Sequence, residues 1–434
     1  MPQICRSEPA VWDGIIAIST LFEYPDQCLD FTLLRKASTE RNALNTSQQD
    51  ALAWYSRSIS SIHSQIERGS ADPYVALVSC VLFICIETLQ GRIEEALQLF
   101  EQGVRLIFDL RVQIGLGGVS ATKAALLEDT IIPLFLRMGA NSLTVSGFQA
   151  GGIFALADLY ALPVFTSIDA ARSAITILSA EAMLFDREAR VHLQAVGGDA
   201  FVDPAMLQRQ KNLQSRLLRW HQAYMDLCRT YDQGSKNPAK KESILLAYYA
   251  ASYIHVSACL TQQETVYDSY YDDFLTIVEQ ASLALNTLAG PNGTQPPFTF
   301  EMGVGVPLFL TVLKCREPVL RRKALGLLQQ SPPMQGFFKC TPVALLAENL
   351  MKIEESYTLT PEKPADSMSI PEEARICFDG VFRPSNGLPP SIKEEDFARY
   401  RRGPDQLFLE IARNRYDETN GRWFPVHEVL PLGP

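Results

Sequence analysis

The sequence predicts an all-α protein. Stacked antiparallel helical hairpins, an irregular α-solenoid-like bundle, are expected over residues 1–357. A Pro-rich extension, 358–434, is expected to wrap over that body in mostly irregular structure. Three observations lead there. Apolar residues recur at helical spacing up to about residue 357. Strand-like alternation is scarce. After Thr358, Pro361, Pro364, Pro371, Pro384, Pro389 and Pro390 exclude long helices.

The clearest unit lies between Asp72 and Leu110. Asp72 suits an N-cap, and Pro73 suits the first helical position, where its missing N–H costs nothing. The helix from Pro73 to about Leu89 is apolar nearly all round, so it needs covering on several sides. Gln90-Gly91 makes a turn. The next helix places Ile93, Leu97, Phe100, Val104 and Ile107 on one stripe and Glu94, Glu95, Gln98 and Glu101 toward water, completing an αα-hairpin. Further stripes follow: Leu213, Leu217, Trp220, Tyr224 and Leu227; Leu245, Tyr248, Ser252, His255 and Cys259; Phe274, Ile277, Val278, Ala281, Leu285 and Leu288. No fixed period links them, so no true repeat is read. Loops are expected at Gly115–Ser120, Gly234–Lys241 and Gly290–Phe298. The extension carries one expected helix, around Pro404 to Arg415, and enough apolar residues (Ile376, Phe378, Val381, Phe382, Leu407, Phe408 and Trp423 among them) to pack on the body.

Composition narrows the function. The 434 residues are 47% apolar and 20% charged, enough for a large core, and the formal charge is −10. An acidic balance argues against a lone DNA-binding domain, whose affinity rests on neutralising phosphates. The nine cysteines are scattered and mostly embedded in apolar patterns, as reduced buried thiols are. No signal peptide is read at the N-terminus. The longest apolar run, roughly Ala76 to Ile86, falls short of the ~20 residues of a membrane span.

The constellations that carry chemistry elsewhere are weak here. Gly115-Leu-Gly-Gly118 with Lys123 lacks the Gly-Lys-Ser/Thr ending and preceding strand of a phosphate loop. Tyr271-Asp272-Asp273-Phe274 resembles a terpene-synthase carboxylate motif, but Glu279 falls at the wrong offset and no second cluster exists. Two aspartates at a helix start complement the helix dipole. His63, His192, His221, His255 and His427 have no neighbouring ligand at His-x-x-x-His spacing, and His255 reads as a core histidine. Cys80 and Cys85 lie in the most apolar helix, a poor place for a reactive thiol. The basic clusters Lys240-Lys241, Arg321-Arg322-Lys323 and Arg399 with Arg401-Arg402 are short and flanked by acids, which favours a solvated or core-capping role. No catalytic, cofactor-binding, DNA-binding or metal residues are assigned, no cofactor is expected, and an enzyme is not.

Two segments carry a resemblance. Ala76 to Gly91, continuing to Ala96-Leu97 and Gly103-Val-Arg-Leu-Ile107, resembles the signature hairpin of the regulatory domain of fungal zinc-cluster transcription factors. Val306-Pro-Leu308, Lys314-Cys-Arg-Glu-Pro318, Arg321-Arg-Lys-Ala-Leu-Gly-Leu-Leu328 and then Gly336 is similar to the Cys-Arg…Arg-Arg-x-Ala-x-x-Leu-Leu block of that family. Glu8-Pro9-Ala10-Val11 with Ala17-Ile-Ser19 is similar to its opening helix. The six-cysteine reader that holds two zinc ions is missing from the sequence, either naturally or by truncation. The resemblance implies a nuclear regulator or co-regulator of transcription, connected with a metabolic or secondary-metabolite gene cluster. It would act through a DNA-binding transcription factor or a second copy of itself, without direct specific DNA contact, and with room for a small-molecule effector. The alternative is a helical enzyme or scaffold of a small-molecule biosynthetic pathway.

Overall fold

A computed structural model describes residues 8–23, 45–144, 152–154, 164–196, 202–232, 243–300, 302–357, 370–389, 391–397, 400, 406–419 and 421–432. The protein is mostly helical, with two small sheets.

The N-terminal helices are α1 (Pro9–Glu23), α2 (Thr46–Glu67), α3 (Pro73–Leu89) and α4 (Ile93–Gly115). Local chemistry sets their starts. Asn45 accepts from the Gln48 N–H while the Gln48 side chain accepts from the Asn45 N–H, a reciprocal capping box. Asp72 accepts from the Tyr74 N–H, with Pro73 first in the helix, as the sequence indicates. Gly91, at φ 72°, makes the turn into α4, a conformation that other residues avoid. The all-round apolarity of α3 has a concrete cause. Ile84 and Leu77 join a core shared with α4, whereas Phe83 and Ile86 join another with α1 and α2.

Next come α5 (Ala121–Leu126), a π-helical turn Leu127–Ile131 and α6 (Ile132–Ser142). Pro133 cannot donate and crowds the preceding turn, and the widened turn accommodates it. Two long helices follow, α7 (Ile168–Val196) and α8 (Pro204–Asp232), then α9 (Ser243–Ala258) and α10 (Tyr271–Leu288). The stripe from Leu213 to Leu227 is buried against α7 and α9. In α10 the stripe from Phe274 to Leu285 is buried and Leu288 is exposed. A last helical group, α11 (Gly305–Lys314), α12 (Pro318–Gln330) and α13 (Cys340–Ser356), shares its core with α9 and α10. Three two-residue strands, β1 (Phe298–Thr299), β2 (Met334–Gln335) and β3 (Phe338–Lys339), tie the loop after α10 to the α12–α13 connection.

The C-terminal extension departs from expectation. Its described residues are not mainly irregular, and 406–415 is not helical. Strands β4 (Cys377–Phe382), β5 (Leu407–Asp417) and β6 (Arg422–Leu432) form an antiparallel sheet with β5 in the centre. Leu409 and Ile411 face Leu346 and Leu350 of α13, while Phe408 packs with Phe382 and Ile392 on the other side. With both faces covered, the first half of β5, Leu407 to Ala412, is apolar on both sides except at Glu410 instead of alternating, and that conceals the strand from periodicity. Gly421, at φ 61°, and the Asp417 side chain, which accepts from the Thr419 N–H, shape the β5–β6 turn. β6 is an outer strand and carries Pro425 and Pro431, tolerated there because an edge leaves half its donors unused.

Candidate functional site

The end of α11, the loop after α9 and the C-terminal sheet meet in a buried polar seam. Its anchor is the segment Lys314-Cys-Arg-Glu-Pro318. Glu317 caps α12 through the N–H groups of Val319 and Leu320, and Pro318 opens that helix. This fixes the chain so that Lys314, Arg316 and Arg321 all point inward. Lys314 Nζ lies 2.5 Å from Glu264 Oε1, and Arg316 Nη2 lies 3.0 Å from Glu264 Oε2 and 2.8 Å from Glu354 Oε1. Arg321 Nη2 reaches Glu354 Oε2 at 2.5 Å, and its Nε donates to the Val312 carbonyl. All five side chains are nearly inaccessible to solvent. Ions so placed cost several kcal/mol each to desolvate, so every partner matters.

Burial opposes the charge on Glu354, yet Arg316 and Arg321 outweigh it and hold the carboxyl below its usual pKa. Burial likewise opposes Lys314, and Glu264 more than compensates, raising its pKa. A depressed carboxyl pKa contributes stability that is fully present above the unfolded value, about 4.3 for Glu, and is lost as pH falls through the folded value. Denaturation measured from pH 5 down toward 3 should therefore show a steep loss of stability that Glu354→Gln flattens. Equal slopes in the two proteins would remove Glu354 from this account.

The extension is keyed to the same seam. Glu354 Oε1 accepts the Ile376 N–H at 2.6 Å. Glu372 accepts the N–H groups of Glu264 and Thr265, both at 2.8 Å, and the Asn414 amide at 2.6 Å. Arg375 pairs with Asp268 through two bonds, of 2.8 and 2.6 Å, and also donates to the Glu264 carbonyl.

Beside this seam a cleft opens between α7, the loop after α9 and the sheet, enclosing about 90 Å³. That is room for several waters or a small polar ligand. Asp186 and Arg190 of α7 form one wall, paired at 3.1 Å. Asp379 and His427 of the sheet form another, with Lys314 and Tyr267 between them. Asp186 raises the Arg190 pKa against the effect of burial. Burial pushes the thiols lining the cleft upward, Cys259 to about 12 and Cys377 to about 11, so both are protonated at neutral pH. A second hollow, of about 320 Å³, also touches Tyr267 and is bordered by Asp268, Tyr271, Phe274, Arg316 and Arg375.

The structure places the sequence-derived candidates as follows. The Gly115–Ser120 stretch is an interhelical loop ending in the Ser120 cap of α5, and Lys123 is held 2.7 Å from Asp72. Asp272 and Asp273 occupy the first turn of α10. Burial pushes Cys80 and Cys85 up to about 12. His255 lies in the body, where burial lowers its pKa, and among the described residues its Nδ1 has no hydrogen-bond partner. Arg321 is the core-capping residue of its cluster, while Arg322 is exposed and pairs with Glu355 at 2.7 Å. The Gly234–Lys241 loop, Lys240-Lys241, Arg399 and Arg401-Arg402 lie outside the described residues.

Sequence reasoning missed Glu264, Glu354, Glu372 and Asp379. The one available signal was compensation: a helical block with three cations at near-core positions needs buried carboxylates from elsewhere. Among the described residues no helix is long and apolar enough to cross a membrane. No family model, curated protein or solved structure matches the chain.

Proposed function

We propose that this chain is a regulator or co-regulator of transcription that works in the nucleus through protein contacts, its stacked helical hairpins resembling the regulatory domain of fungal zinc-cluster factors, with the cleft beside Lys314 as the seat of a small polar effector. The observation that carries the reading is where the cleft lies. It adjoins Lys314 of the second resemblance block and the C-terminal sheet, so an occupant would touch the helical body and the extension together. A ligand bridging two elements stabilises whichever arrangement it fits better, and that preference is the physical requirement for an effector. The polar groups that converge there, with two protonated thiols, suit recognition of a small polar molecule better than nucleophilic attack. The acidic balance supports action through a DNA-binding partner.

Deletion of the gene, followed by RNA sequencing and metabolite profiling of the same strain, tests this. A limited set of transcripts should change, and the protein should co-purify from nuclear extract with a DNA-binding factor. Level transcripts beside one accumulating precursor would overturn the proposal in favour of a helical enzyme.

A further inference from the structure

We propose that Asp379, Glu410 and His427 form a binding site for one divalent transition-metal ion of the zinc class, carried on one face of the C-terminal sheet. Each residue comes from a different strand. Glu410 of β5 and His427 of β6 share a face, because His427 pairs with Ala412, two residues from Glu410. The β4–β5 register shifts between Phe378 and Gly380. That irregularity makes Asp379 the extra residue of a bulge, a device that re-aims a side chain. Its carboxylate points at the imidazole, with Asp379 Oδ2 3.4 Å from His427 Nδ1.

Donor atoms of the three residues lie within 4.8 Å of one another. By plane geometry, a point then exists within about 2.8 Å of all three. Bonds to zinc are about 2.0–2.2 Å, so shifts of well under 1 Å complete the coordination. The 3.4 Å separation already equals the spacing of two ligands at tetrahedral angle and about 2.1 Å from an ion.

A second observation points to a ligand. Asp379 Oδ2 and His427 Nδ1 are both buried, and among the described residues neither makes a well-formed hydrogen bond, each having only the other as an ion-pair partner at 3.4 Å. Their mutual contact is long for a hydrogen bond, whereas a cation between them would satisfy both at closer range. The nearby guanidinium of Arg190 is engaged by Asp186. Ser391 Oγ donates to Glu410 Oε1, the kind of outer contact that orients a metal-binding carboxylate. One imidazole with two carboxylates favours zinc or manganese over calcium, which takes six to eight oxygens. Asp379 and His427 also line the cleft, so remaining coordination positions open toward it. The site is separate from the two-zinc cluster of six cysteines and does not depend on the regulatory reading.

The test uses the full chain, stripped with chelator, kept reduced and dialysed against Zn2+, Mn2+ or Ca2+. Metal analysis should give one zinc per chain, a raised melting temperature with zinc or manganese, and no response to calcium. Glu410→Gln and His427→Gln should each weaken binding by roughly tenfold or more and abolish the thermal shift. Circular dichroism shows whether each variant is folded. Glu410 is half-exposed, so its isosteric variant decides the matter should His427→Gln disturb the sheet. Cobalt(II) in place of zinc should give visible bands without thiolate charge transfer. Failure of the wild type to hold zinc, or equal zinc content in wild type and Glu410→Gln, would show a bare His–Asp ion pair or thiol-bound metal and overturn the site.

Discussion

Glu354→Ala should destabilise the protein by about 3–5 kcal/mol, the range found when one partner is removed from a buried ion pair. The carboxylate is shared by Arg316 and Arg321 and also accepts the Ile376 N–H. Truncation leaves the Arg321 guanidinium without its ion-pair partner and Arg316 with Glu264 alone, in a place nearly closed to solvent. It also frees the extension from α13 at Ile376. Urea denaturation monitored by far-ultraviolet circular dichroism would measure the loss. Replacing the pair together, Glu354→Leu with Arg321→Met, should recover much of it, because apolar groups of similar volume need no partner. A single variant within about 1 kcal/mol of wild type would mean that the charges are compensated some other way.

The second large effect lies in α3. Phe83→Ala should cost roughly 3–5 kcal/mol, since the ring is buried and meets Tyr55 edge-on with 5.2 Å between centroids. Ile84→Asp should be worse, placing an unpaired carboxylate in the core shared with α4. The two residues face different cores, so each variant reports on a separate side of α3. Melting curves that leave either single variant unchanged would mean that α3 is not the central helix of its layer.

The helical body was legible in the sequence because its signals are local. Asp72-Pro73, Gly91 and the stripe from Leu213 to Leu227 each depend on residues within a few turns of one another. The sheet was not. Whether Leu407–Asp417 forms a helix or a strand is decided by distant partners, Arg422–Leu432 on one side and Cys377–Phe382 on the other. The candidate sites share that dependence. Lys314, Arg316 and Arg321 were visible as a block, but their carboxylates come from the loop after α9 and from α13. His427 had no ligand partner at short spacing. Asp379 and Glu410 reach it only after three strands pair and one of them bulges. Spacing rules describe sites built within a single element, and this one spans three.

The two prolines of β6 bear on how the protein keeps its own company. An outer strand with free N–H groups is a template for sheet extension by another chain, the first step toward fibrils. Pro425 and Pro431 sit in the β6 ladder without breaking its register with β5, so their nitrogens turn outward, where they can offer no hydrogen. An incoming strand would meet a row of donors with gaps at both prolines. Self-association by strand addition is thus discouraged along β6 by residues that cost the native sheet nothing.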